Sequence, residues 1–233
     1  MRNYASRIAF QLILTTAVCF LLNPVAFAQT VLNGSFEAVP IGSPFFSSNP
    51  SDIPNWTHGG SAGDALLWAV GYSDSGGSIT TAGAGNQFVT MGGGFSGPGS
   101  ADWSTTITGL TSGTTYNLSF MIATELGTGF EPGGPQTMSV GFLSGSSTAS
   151  QSFTSPDSSA AYWRNWVTEN YTFVANANSA AVDFSVANQQ YDMGLDNVSV
   201  SPAVTVTPEP SSLLLFGTGL VGALSVLRKK LFD

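Results

Sequence analysis

The chain has 233 residues and a formal net charge of -8, yet only 9% of its residues are charged and 12% are aromatic. So many rings with so few charges excludes a disordered chain, and a body whose one cation is Arg164 cannot neutralise a nucleic-acid backbone. The single cysteine, Cys19, lies near the N-terminus, which leaves the rest without a disulfide, a thiolate nucleophile or a cysteine metal site.

In chain order, residues 1–28 have the three parts of a secretory signal. Arg2 and Arg7 open it, Ile8 to Leu22 is apolar, and Ala26-Phe27-Ala28 is a small-x-small cleavage site, so cleavage is expected between Ala28 and Gln29. Residues 29–202 are long enough for one core, and their hydrophobic residues alternate with period two. Strands are expected at Val31 to Phe36, Leu66 to Val70, Gln87 to Met91 and Trp103 to Thr108, then through Tyr116, Leu118, Phe120 and Ile122. Further strands run through Met138, Val140 and Phe142, through Tyr171 and Phe173, through Val182, Phe184 and Val186, and through Val198 and Val200. Gly109 to Thr114 is a turn between antiparallel neighbours. About nine short strands in one domain give an all-β fold, a jelly-roll β-sandwich.

Residues 203–212 read as a linker containing Pro208, Glu209 and Pro210. Residues 213–233 read as a transmembrane sorting helix, an apolar run from Leu213 to Leu227, closed by the basic cluster Arg228, Lys229 and Lys230. That run spans about 22 Å, short of the about 20 residues of a comfortable membrane span, and its basic end should stay cytoplasmic.

The Pro-Glu-Pro triplet, apolar helix and basic end resemble the PEP-CTERM sorting signal. The resemblance implies an exported Gram-negative cell-surface protein, anchored transiently in the inner membrane through the C-terminal helix. It also implies processing by an exosortase, a membrane cysteine protease, and a link to exopolysaccharide and biofilm. The body is similar to galactose-binding-like jelly rolls of carbohydrate-binding modules through Asn33-Gly34-Ser35-Phe36-Glu37, Ile53-Pro54-Asn55-Trp56, Gly109-Leu110 to Tyr116, and Gly194-Leu195-Asp196-Asn197-Val198. In such modules a structural calcium often joins the first and last strands; by motif position this implies Glu37 and Asp196 as ligands.

Strand parity puts Asp196 with Val198 and Val200, facing inward, where a buried carboxylate needs a partner. Trp68, Tyr72, Trp163, Arg164 and Trp166 are the glycan-binding candidates, because rings stack on pyranose faces while polar neighbours hold hydroxyls. Trp103, Phe130 and Tyr191 are further rings near strand ends, and Trp56 is assigned to the core. In an extended segment Arg164 and Trp166 would share a face. The one histidine, His58, precedes Gly59-Gly60 and reads as surface loop; no nucleophile elbow accompanies it. Glu125, Glu131 and Glu169 show no spacing that marks a glycosidase pair. The expectation is therefore a non-catalytic protein that binds extracellular polysaccharide, with a self-associating structural or adhesive protein as the alternative and a glycan hydrolase behind both.

Overall fold

A computed structural model describes residues 30–41, 46–47, 53–60, 65–74, 77–92, 98–125, 134–156, 163–203 and 217–219. The signal cleavage site at Ala28 and Gln29, the sorting triplet at 208–210, the basic cluster at 228–230, Phe130 and Glu131 lie outside the described residues. The chain divides into two compact units, Met1–Ser201 and Pro202–Asp233. The second is described only at its first residues and in one helical turn at 217–219. Among the described residues no helix is long and apolar enough to cross a membrane.

The first unit is a sandwich of two antiparallel sheets. Its strands in chain order are β1 (Thr30–Val31), β2 (Phe46–Ser47), β3 (Thr57–Gly60), β4 (Ala65–Ala69), β5 (Ser73–Asp74), β6 (Gly77–Ser78) and β7 (Gln87–Met91). Then follow β8 (Gly99–Thr108), β9 (Thr115–Thr124), β10 (Thr137–Ser144), β11 (Ser147–Thr154), β12 (Val167–Val174), β13 (Ser179–Gln189) and β14 (Met193–Pro202). Sheet A runs β1-β8-β13-β10-β11, with β3 on the same edge of β8 as β1; sheet B runs β12-β9-β14-β7-β4-β2; β5 and β6 form a separate hairpin. This is the all-β jelly-roll sandwich that the alternating pattern anticipates.

The alternation explains the layers. Trp103 and Ile107 of β8, Phe120 and Ile122 of β9, Val140 of β10, and Val182 and Phe184 of β13 all turn inward and are buried. Rings interlock between the sheets: Phe120 meets Phe184 edge-on at 5.2 Å, and Phe142 meets Phe173 at 3.9 Å. The Trp103 indole N–H donates across the sandwich to the Thr90 carbonyl at 2.9 Å, so a buried polar atom stitches the layers. Each such ring stabilises the fold by roughly 1.5–3 kcal/mol through burial. Trp56 is buried here, packed on Phe36 at 4.9 Å.

The turn at Gly109 to Thr114 forms as read. Gly109 and Gly113 take positive φ, and the Thr111 N–H donates to the Tyr116 hydroxyl at 2.9 Å.

Two elements differ from the sequence reading. The expected strand from Val31 to Phe36 stops at Val31, because Asn33 (φ 54°) and Phe36 (φ 58°) adopt left-handed backbone. The Asn33 side-chain oxygen accepts the Ala38 N–H, and its carbonyl accepts the Phe36 N–H and the Trp56 indole N–H. A local Asn-Gly turn thus outcompetes the strand. His58 is not on a loop: β3 pairs it with Trp103, and its half-buried ring packs on that indole at 5.0 Å.

Candidate functional site

Sheet B carries a second apolar layer on the face away from the interlayer core. On β4, Ala65 and Leu67 face the core while Leu66 and Trp68 face out; on β7, Val89 and Met91 face the core while Phe88 faces out. The outward residues are nonetheless buried, in a cluster of Leu66, Trp68, Ile79, Phe88, Ala123 and Trp163, with Tyr72 and Trp166 half-buried at its margin. Trp68 lies opposite Phe88 in the sheet, and its indole N–H donates to the Thr90 hydroxyl at 3.0 Å. Tyr72 stands edge-on to Trp68 at 4.8 Å, and Phe88 meets Trp163 at 5.2 Å and Trp166 at 5.1 Å.

Two glycines let this layer close. A side chain at Gly194 of β14 would run into Trp166 at 2.8 Å and Trp163 at 3.0 Å, and one at Gly83 would meet both Trp166 and the Asp196 side chain at 3.0 Å. Trp166 therefore lies between a strand and the 81–86 loop, with a bare backbone on each side. The Thr81 hydroxyl donates to the Trp163 carbonyl at 3.2 Å and ties that loop to the aromatic turn.

All five glycan-binding candidates can now be located. Trp68, Tyr72, Trp163 and Trp166 come together on this face. Trp68 and Trp163 present no ring to solvent (each 0% exposed), Tyr72 and Trp166 are half-buried, and Arg164 is exposed. The segment from Trp163 to Trp166 is not extended: Trp163 takes φ 53°, so Trp163 and Trp166, rather than Arg164 and Trp166, share a destination. A bulky residue in left-handed backbone is strained by roughly 1–3 kcal/mol, held here by the burial of its ring. Trp103 belongs to the interlayer core and Tyr191 is half-buried beyond β13.

Beside the aromatic layer, Glu37 and Asp196 converge on the same loop. Glu37 accepts the N–H groups of Asn86 and Gln87 at 2.5 and 2.6 Å; Asp196 accepts those of Ala84 and Asn197 at 2.7 and 2.6 Å. Buried Gln87 extends the fastening, donating to the Phe36 carbonyl at 2.6 Å and accepting from Ile41 N–H at 2.7 Å. Asp196 does not turn into the interlayer core with Val198. Left-handed Asn197 (φ 49°) breaks the alternation, so Asp196 shares the outer face with Gly194 and is buried under the loop. Its partners are the backbone N–H groups of Ala84 and Asn197. Burial pushes its carboxyl up to about 7, with a further rise from the Glu37 charge, against the lowering effect of the N–H donors.

Gly85 is essential to this fastening, because it has φ 66° and a Cβ there would collide with the Glu37 carboxylate. Gly85→Ala is expected to destabilise the protein by about 1–3 kcal/mol in urea unfolding; no change would mean that the loop does not close on Glu37.

Among the described residues no group of three or more His, Cys, Asp or Glu side chains gathers. Calcium takes six to eight oxygens, so Glu37 and Asp196 would be the charged ligands of such an ion, with the remaining oxygens coming from carbonyls and water. The sequence reading missed Phe88, Ile79, Gly83 and Gly85. The signals in the sequence are the Ala-Gly-Ala-Gly run at 82–85 and the unbroken apolar run Ala65-Leu66-Leu67-Trp68-Ala69, which suits a strand buried on both faces.

Residues 206–230 match the PEP-CTERM protein-sorting motif, which marks an exported, surface-sorted protein. No curated protein is similar to the chain in sequence. Among solved structures, TmCBM61 in complex with beta-1,4-galactotriose is 13% identical, with a TM-score of 0.47 over 76% of this chain and 99% of that one. A structure described as "CBM4 structure and function" is 14% identical, with a TM-score of 0.38 over 75% of this chain and 100% of that one. The K2 cleaved adhesin domain of Lys-gingipain is 16% identical, with a TM-score of 0.49 over 76% of this chain and 100% of that one. The sandwich stands on its own strand pairing, and C-terminal to it the sequence carries a PEP-CTERM sorting motif.

Proposed function

We propose that this exported protein is a non-catalytic cell-surface or biofilm-matrix component whose sandwich binds extracellular polysaccharide. The observation that carries the reading is the margin of the outer aromatic layer. Tyr72 and Trp166 are half-buried residues at the edge of a buried aromatic floor, with Arg164 exposed in the adjoining turn. Fixed rings stack on the apolar faces of pyranoses with little entropic cost, while a guanidinium donates to ring hydroxyls. Calcium, held by Glu37 and Asp196, would stiffen the loop that Trp166 packs against. In this reading an exosortase processes the chain at Pro208, Glu209 and Pro210 of a Gram-negative cell, while the apolar tail and Arg228, Lys229 and Lys230 hold it at the inner membrane.

The full chain on an array of extracellular polysaccharides, with calcium and with chelator, tests this reading. Retention on at least one polysaccharide, weaker in chelator, is expected; no retention on any of them overturns it.

A specific observation favours a second reading, a structural or adhesive coat protein. The outward side of sheet A has a small polar surface, with Ser104, Thr106, Ser139, Ser150, Ser152 and Ser185 across four strands and no aromatic ring among them.

A further inference from the structure

The sandwich guards its sheet edges unequally. One edge of sheet A is divided between β1, two residues long, and β3, four residues long. One edge of sheet B is β2, with two residues. The other edge of sheet B is β12, eight residues long, which carries Glu169 at a position whose neighbours Tyr171 and Phe173 point inward. Short strands and inward charges are how proteins block strand addition.

The remaining edge, β11, has none of these guards. Its eight residues, Ser147 to Thr154, contain no charge and no proline, and they pair residue for residue with β10 without a bulge. Among the described residues no strand pairs with the outer edge of β11, and Ser147 to Ser152 are all exposed.

We propose that β11 is an assembly edge that pairs antiparallel with β11 of a second copy of this chain. The sequence of the strand is self-complementary. Side chains keep their faces only if opposed residue numbers sum to an even value, because the pleat has period two. Centring the two-fold on Gln151 meets that condition. It sets Thr148 against Thr154, Ser150 against Ser152, Ala149 against Phe153, and Gln151 against itself. Thr–Thr and Ser–Ser neighbours are favourable cross-strand pairs, and an amide both donates and accepts, so two Gln151 side chains can bond reciprocally. The contact is isologous and closes as a dimer. A second copy also fits the charge. The body is acidic, so two copies repel over most of their surface, and this neutral strand is where they can approach. The inference is independent of the polysaccharide reading.

The test uses the full chain in mild detergent, with Cys19 changed to serine and one new cysteine. Opposed residues of an antiparallel pair lie about 4.5–5.5 Å apart at Cα, within disulfide reach. Gln151→Cys is expected to form a covalent dimer under mild oxidation, whereas Thr172→Cys, exposed on β12, is expected to remain monomeric. Gln151→Lys opposes like charges at the two-fold and should weaken dimerisation by about tenfold or more in sedimentation, with an unchanged circular dichroism spectrum. A dimer that persists unchanged in Gln151→Lys, as one held by the apolar tail would, overturns the proposal. So does a Gln151→Cys protein that stays monomeric or couples in native surface material only to a different protein.

Discussion

Trp163→Ala is expected to lower stability by about 3–5 kcal/mol, which in a domain of this size lowers Tm by roughly 6–20 °C. Trp163 is fully buried, packs on Phe88 at 5.2 Å, and covers Gly194 so closely that a Cβ there would meet its ring at 3.0 Å. Alanine removes all of those contacts and leaves a cavity between the 81–86 loop and sheet B. It also keeps the unfavourable φ of 53°, so no strain is relieved in exchange. Trp166→Ala should cost less stability, because that ring is only half-buried. Thermal denaturation of the two variants separates floor from margin. A loss below about 1 kcal/mol for Trp163→Ala would contradict a packed outer layer.

The second large effect is a pH dependence opposite to that of most carboxylate-rich folds. Burial pushes the Asp196 carboxyl up to about 7 in the folded protein, against the ordinary value of 3.8. Between those values the folded chain holds a proton that the unfolded chain has released. The stability contributed by Asp196 is therefore fully present below about pH 4 and is lost as pH rises through 7, a change on the order of 4 kcal/mol. Asp183, raised by burial and by the Asp102 charge, acts in the same sense. Asp196→Asn should flatten the slope, since an amide oxygen can still accept the Ala84 N–H but does not titrate. If calcium is held by Glu37 and Asp196 as proposed, its addition should flatten the slope as well, because a cation holds the carboxylate ionised. Urea unfolding from pH 4 to 8 measures this, and stability that rises with pH in chelator would contradict it.

Much of the sandwich was legible from alternation. Strand β9 buries Tyr116, Leu118, Phe120 and Ile122, as a period-two pattern requires. Strand β11 was not legible, because its residues are nearly all small and polar and only Phe153 turns into the core. Strand β3 was hidden by Gly59 and Gly60, which read as turn residues although β8 pairs with them. The inward placement of Asp196 failed for a different reason. Parity holds only while the backbone stays extended, and one left-handed asparagine reverses it. The aromatic layer was visible as a set of tryptophans but not as an outer core. Nothing local to Trp163 says that a loop 82 residues earlier will close over the sheet face on which it packs.

In the proposed function, the half-buried Tyr72 and Trp166 at the margin of this layer hold sugar. This is tested most directly by titrating the polysaccharide that the array selects into the full chain and into Trp166→Ala. Affinity weaker by about tenfold or more is expected for Trp166→Ala, titrated at a temperature where circular dichroism shows it folded, with Thr172→Ala on the outward side of β12 binding like the parent. Equal affinity for the parent and Trp166→Ala would contradict it.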